Sequence, residues 1–259
     1  MDKKLLNNMK IFIRKLTQYF WLACLLLTAA PLAYADEPQL PTLRYNLGGT
    51  SAWIPYGYFG DPNKQGIFAD IVHAIMQHAK ISYEFFYYPP KRAELAMEVG
   101  KLDFDFMSTD WVKDGNMGDE FVTTIPLFEL KEYIVTLPAN AANFAQPQAI
   151  YGKRVGTIAG YSYHDDNKFT RVDFLSESKL IEGLAKQRFD AVILEGVTAS
   201  YWAKVHEVNI TFAALHSHGD MVIRLRKEHR NLITDFNEAI VFLQQSGELQ
   251  KIMQSYNLQ

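Results

Sequence analysis

Apolar residues return at every fourth position at Ile67, Ile71, Ile75 and Ala79, the spacing that lines one face of an α-helix. The next segment, Tyr83-Glu84-Phe85-Phe86-Tyr87-Tyr88, is rich in aromatics and reads as a strand that Pro89-Pro90 stops. Helical spacing resumes over 91–99, Gly100 ends it, and Phe104-Asp105-Phe106-Met107 is strand-like again. These three elements make one β-α-β unit.

The pattern changes at 139–148, which carries no charge and little apolar periodicity and reads as a surface connection. Beyond it, strands are predicted at 154–158, 172–175 and 191–194 with helical stretches between them. A further strand-like run at 221–225 precedes two helical segments broken at Ser246-Gly247. Short strands alternating with helices predict an α/β architecture. A fixed-period repeat is lacking, which excludes a solenoid or a propeller.

The first 35 residues follow a different logic. Lys3, Lys4, Lys10, Arg14 and Lys15 precede an uncharged run over 16–35, whose apolar centre at 20–27 leads to Ala33-Tyr34-Ala35. This order predicts a secretory signal cleaved near Ala35 and a periplasmic mature protein. An uncleaved anchor is the alternative, since about 20 apolar residues span a bilayer; Pro31 and the small-residue end argue against it. A lipoprotein is disfavoured because Trp21-Leu22-Ala23 fits a lipidation box poorly. Cys24 is the one cysteine, so cleavage leaves no thiol for a nucleophile, a disulfide or a zinc site. Charge changes with it: 26 basic against 29 acidic residues in the whole chain become 21 against 28 beyond residue 35. An acidic protein without a basic field is not built for nucleic acid. At 48% hydrophobic and 21% charged residues the chain has the composition of a folded globular protein, which excludes disorder.

Four segments, in order, resemble the bacterial extracellular solute-binding proteins of family 3. Gly66-Ile67-Phe68-Ala69-Asp70-Ile71 is similar to the family's Gly-Phe-x-x-Asp-Leu helix entry. Pro90-Lys91-Arg92-Ala93 with Gly100-Lys101-Leu102-Asp103 resembles the Pro-x-Lys-Arg-Ala and Gly-x-x-Asp of one branch. Gly152-Lys153-Arg154-Val155-Gly156 with Gly160 resembles the opening of the second lobe, and Phe189-Asp190-Ala191-Val192-Ile193 with 237–252 the closing elements. The resemblance implies a two-lobed α/β fold of the type II periplasmic binding proteins. Lobe one would comprise 43–133 plus 220–259 and lobe two 138–215, with chain crossings at 134–137 and 216–219 acting as a hinge. It further implies a monomeric binding protein without cofactor, which closes on a small polar solute for the permease of an ABC importer.

Candidate ligand contacts follow from the residues and from that resemblance together. The loop Thr50-Ser51-Ala52-Trp53-Ile54-Pro55-Tyr56-Gly57-Tyr58-Phe59 holds four aromatics, and the resemblance puts Trp53 and Tyr56 at the cleft, where ring faces stack on a planar group or meet a cation. Ordinary loop packing is the alternative for both. Ser108, Thr109, Asp110 and Lys113 occupy the place of the family's Thr-x-Thr-x-x-Arg stretch, which commonly grips an α-carboxylate; the arginine is missing here. Lys113 stands nearest to its place and offers a point charge without the planar fork, and Arg92 is the other candidate cation. Either is equally readable as a solvated surface charge. Asp110 adds an acid that a simple carboxylate site would not favour. Gly160, Tyr161 and Ser162 lie between a predicted strand and helix, where backbone N–H groups suit an anion and Ser162 suits a cap. Glu195 ends the strand at 191–194, where the resemblance implies an acid that meets a ligand ammonium; a surface loop acid is the alternative.

Other signals carry less. His216-Ser217-His218 puts two imidazoles on one face of a strand, but no third metal ligand stands nearby in sequence, and a polar hinge is expected. His164-Asp165-Asp166 reads as a solvated helix start. Phosphate loops, nucleophile elbows, zinc-protease motifs and dinucleotide fingerprints are all missing. Two rival readings use the same fold: a lyase or dehydratase with Glu195 and Lys113 as an acid/base pair, and a sensory module that signals to a membrane receptor.

Overall fold

The computed structural model describes residues 9, 14, 41–48, 53–58 and 65–256, and the expected signal segment, residues 9 and 14 apart, lies outside them. Within the unit over 40–259, the described residues form nine strands. They are β1 (Leu43–Asn46), β2 (Tyr83–Phe86), β3 (Phe104–Ser108), β4 (Phe121–Thr123), β5 (Phe128–Thr136), β6 (Arg154–Ile158), β7 (Thr170–Phe174), β8 (Ala191–Glu195) and β9 (Thr211–Arg226). The helices are α1 (Ile67–Ala79), α2 (Pro90–Glu98), α3 (Glu177–Ala185), α4 (Gly196–Val205), α5 (Ile233–Gln245) and α6 (Glu248–Ser255). Among the described residues no helix is long and apolar enough to cross a membrane.

The strands run in the order β2-β1-β3-β9-β5-β8-β6-β7, with β4 also on β9. One end, β2-β1-β3, is parallel, as is the other, β8-β6-β7, while β9 and β5 between them are antiparallel to each other and to their outer neighbours. Parallel strands need crossover connections, which α1, α2 and α3 supply, while β6 and β7 are joined through the 3₁₀ turn Asp166–Lys168.

Two separate cores form around these ends. Ile67, Ile71 and Ile75 of α1 are fully buried with Phe104 of β3, Ile223 of β9 and Phe236 of α5. The second core joins Ile158 of β6, Leu180 and Leu184 of α3 and Val192 of β8. Strands β5 and β9 reach both ends: Leu130 and Met221 enter the first core, Val135 the second, and Ala213 and Ala214 pack against a further cluster beside the second that holds Ile134 and Ile193. The molecule is therefore two-lobed, and two long paired strands run between the lobes.

Most of the predicted elements are present, with two informative differences. The stretch 139–148 is a pair of 3₁₀ turns, Pro138–Phe144 and Pro147–Ile150, that bury Phe144 and Ile150. Single anchoring side chains of this kind leave no helical period to read. The run at 221–225 is the end of the 16-residue β9, whose earlier half, Ala213 and Ala214 apart, alternates too weakly to announce itself.

Local chemistry aims the site. Gly66 has φ +108°, and a Cβ there would lie 2.5 Å from the Tyr56 carbonyl oxygen, so only glycine lets α1 start against the aromatic loop. Pro90 opens α2 at a position where a missing N–H costs nothing. Strand β5 changes register against β9 after Glu132 and again after Ile134. Such irregularities re-aim side chains.

Candidate functional site

A cavity of about 430 Å³ lies between the two cores, lined by Trp53, Tyr56, Phe68, Phe106 and Trp111 from one side and by Gly160, Tyr161 and Ser162 from the other. Trp53 is its centre. Its ring lies 4.8 Å from Tyr56, 5.3 Å from Phe68, 5.7 Å from Trp111 and 5.9 Å, across the lobes, from Tyr161. Phe68, in the first turn of α1, stacks on Phe106 of β3 at 4.1 Å. Tyr161 is held by its hydroxyl, which donates to Glu177 Oε1 at 2.6 Å.

Glu132 of β5 also lines the cavity while being only 4% exposed. Ser217 of β9 donates its hydroxyl to Glu132 Oε2 at 2.8 Å. Burial pushes this carboxyl up to about 7, against the opposing pull of His216, Ser217 and the Trp111 indole. Glu195, facing it from β8, pushes the same way as burial. Elsewhere on the cavity wall, Arg224 of β9 donates Nε and Nη2 to the two carboxylate oxygens of Asp105 at 3.0 and 2.7 Å. Its guanidinium lies 4.3 Å over the Phe121 ring, and Glu94 and Glu98 of α2 line the wall nearby.

Of the residues singled out in the sequence, Trp53, Tyr56, Gly160, Tyr161 and Ser162 line the cavity, whereas Arg92, Ser108, Thr109, Asp110, Lys113 and Glu195 do not. Ser108 is buried, and its Oγ accepts from the Asp110 amide as the cap of the 3₁₀ turn Thr109–Trp111. Asp110 accepts from the His218 amide on β9. Arg92 and Lys113 are exposed. Glu195 is buried and caps α4, accepting from the amides of Val197 and Thr198 at 3.0 and 2.8 Å. Burial raises its pKa, and burial with the Glu195 charge raises that of Tyr56.

The helix expected after Ser162 is not there. The segment turns instead into the 3₁₀ turn Asp166–Lys168, and the Tyr161 amide donates to the Ile158 carbonyl. Gly160 nevertheless matters. With φ +89°, it lies so close to α2 that a Cβ would sit 2.4 Å from the Lys91 nitrogen. Thr198 of α4 makes a second contact across the lobes, donating its hydroxyl to the Ile54 carbonyl at 2.9 Å.

The two histidine clusters also differ from expectation. Asp165 is buried and bonds His216 Nε2 at 3.0 Å, and His164 stacks on the His216 ring at 4.8 Å. A third group thus stands beside His216 in space where the sequence offered none; His164, Asp165 and His216 are spaced to hold a metal ion, and their present bonds tie β9 to the loop after β6. Asp103, Glu228 and His229 form the other such group, in which Asp103 already takes Arg44 and His229.

Glu132, Asp105 and Arg224 line the cavity without having been singled out. A signal existed for Glu132: Phe128, Leu130, Glu132 and Ile134 share one phase of β5, so an acid occupies an inward position of the strand. Asp105 alternates with the inward Phe104 and Phe106 and points toward Arg224.

The family model for bacterial extracellular solute-binding proteins, family 3, matches residues 45–259. Among solved structures, an ancestral arginine-binding protein bound to arginine is 23% identical with a TM-score of 0.66, covering 85% of this chain and 100% of its own. The amino acid ABC transporter substrate-binding protein AbpA from Streptococcus pneumoniae, bound to L-arginine, is 16% identical with a TM-score of 0.65, covering 82% and 94%. A histidine kinase sensor domain similar to periplasmic binding proteins is 17% identical with a TM-score of 0.68, covering 85% and 97%. No curated relative matches the chain. The shared architecture is the two-lobed fold of type II periplasmic binding proteins.

Proposed function

Since the chain belongs to the bacterial extracellular solute-binding proteins, family 3, we propose that it captures a small polar solute, amino-acid-like or cationic, in the cavity between its lobes. The observation that carries this reading is the cavity itself: its wall is shared by Trp53 and Tyr56 from one core and Gly160, Tyr161 and Ser162 from the other. A solute touching both walls stabilises the closed arrangement, because its affinity for that state exceeds its affinity for an open one.

In this reading Trp53, Tyr56 and Tyr161 stack on the solute, and Ser162 offers a hydrogen bond. Glu195 acts through Tyr56 and the α4 cap. The loaded protein delivers its solute to an ABC permease that recognises both lobes together, and the signal segment sends the chain to the periplasm. Two solved relatives of the same architecture bind arginine, one of them as an ABC transporter component, which supports the transport assignment. Binding without turnover is favoured because Glu195 is a buried cap and Lys113 is exposed, with no hydrogen bond or ion pair between them among the described residues. The experiment is a thermal-shift screen of the protein against amino acids, amines and organic acids. A solute at about 100 times its Kd raises stability by about 2.7 kcal/mol; a screen in which none shifts the transition contradicts the proposal.

A further inference from the structure

Resting on the solute-binding reading above, we infer that the solute is an organic cation without a carboxylate, its positive group facing Glu132 and its body held between Trp53, Trp111 and Tyr161.

The charges of the cavity wall carry the inference. Among the described lining residues, Glu94, Glu98, Asp105 and Glu132 are acids and Arg224 is a base. That one guanidinium already directs Nε and Nη2 at both oxygens of Asp105, so its planar fork is occupied. Arg92 and Lys113, the cations that an α-carboxylate would need, are exposed and outside the wall. The Tyr161 N–H is likewise committed, to the Ile158 carbonyl. A carboxylate entering this cavity would meet a net excess of like charge, whereas a cation meets the reverse.

The remaining wall suits a cation's body. Trp53 stands within 5.9 Å of both Trp111 and Tyr161, and all three rings line the cavity together with Glu132. Ring faces attract ammonium and guanidinium groups and repel anions. Glu132 sits at the register change of β5, with one oxygen fixed by Ser217. A carboxylate has about four acceptor sites in all, so this leaves capacity for a ligand N–H.

The geometry also predicts pH dependence. The groups that face Glu132 are Ser217 and His216 from β9, Glu195 from β8, the Trp111 indole, and Tyr161 and Tyr163 from the loop after β6. A cation binds the ionised carboxylate, so affinity rises with pH until the free protein's Glu132 is deprotonated, near 7, and is flat above.

The test compares each amino acid with the amine that lacks only its carboxylate, by calorimetric titration of the protein: arginine with agmatine, lysine with cadaverine, phenylalanine with phenethylamine and tryptophan with tryptamine. At least one amine is expected to bind tenfold or more tightly than its amino acid, with affinity rising about tenfold from pH 5.5 to 7. Glu132→Gln should lower amine affinity at least tenfold. The pH series needs no variant, so a poorly folded E132Q protein leaves the inference exposed to refutation. Amino acids binding more tightly than all four amines would overturn the cation assignment and leave solute capture standing. So would amine affinity that stays flat over this pH range. Failure of all eight compounds would also overturn it, and failure of the wider panel of polar solutes as well would overturn the solute-binding reading.

Discussion

Glu132 on β5 and Glu195 on β8 stand directly opposite each other in the sheet, both buried, yet only Glu132 lines the cavity. Residues opposite each other on paired strands share a face of the sheet, so each carboxylate raises the cost of ionising the other. Glu195 offsets that cost with two helix amides, and Glu132 has the Ser217 hydroxyl. The pair separates two roles, one acid fixing the start of α4 and the other facing the cavity.

Replacing Glu195 therefore acts first on stability. Glu195→Ala removes an N-cap, a change typically worth about 1 kcal/mol. Urea unfolding monitored by circular dichroism should show a lower midpoint with an unchanged slope. A variant as stable as the parent would show that the cap contributes little.

The unliganded protein should lose stability as pH rises from about 4.5 to 7. Burial pushes both Glu132 and Glu177 up to about 7. The folded state then holds protons that the unfolded chain, with ordinary carboxyls, has released, so stability falls across that window. Each pKa unit is worth about 1.4 kcal/mol, which bounds each group at roughly 3.5 kcal/mol. Asp103 and Asp165, held below the usual range by Arg44 and His216 respectively, act in the opposite sense, and their contribution is lost as pH falls through their lowered pKa values. Thermal unfolding from pH 4.5 to 8 checks this; the E132Q/E177Q double variant should flatten the decline, and an unflattened curve would assign it to other groups.

Gly160 is another point at which the lobes meet. Gly160→Ala places a methyl 2.4 Å from the Lys91 nitrogen and forces α2 and the loop after β6 apart. Gly152, also at positive φ but with nothing within 4 Å of its Cβ, is the control for backbone strain alone. Solute affinity should fall at least tenfold in the first variant and little in the second. Equal losses in both would mean that strain, and not closure, sets the effect.

Much of the fold was legible in the sequence because burial there follows a period. Ile67, Ile71 and Ile75 recur every four residues and are all fully buried, and the strand at 154–158 coincides with β6. The 3₁₀ turns around Phe144 were not legible, since one buried ring fixes a turn without any repeat. The aromatic half of the cavity was legible through Trp53 and Tyr56. Its charged half was not, because the pairing of Asp105 with Arg224, 119 positions apart, is made by β3 lying antiparallel to β9. Asp165 read as a solvated acid for the same reason: His216, its partner, is 51 residues away.

In the proposed reading Trp53 joins the two walls that would hold the solute, since its ring lies near Tyr56, Phe68 and Trp111 on one side and Tyr161 on the other. The decisive measurement is calorimetric titration of a solute that stabilises the protein, repeated on Trp53→Ala and Tyr161→Ala. Affinity is expected to fall at least a hundredfold in Trp53→Ala and at least tenfold in Tyr161→Ala, with both unliganded variants still folded. Unchanged affinity in both would place the solute outside this cavity and contradict capture between the lobes.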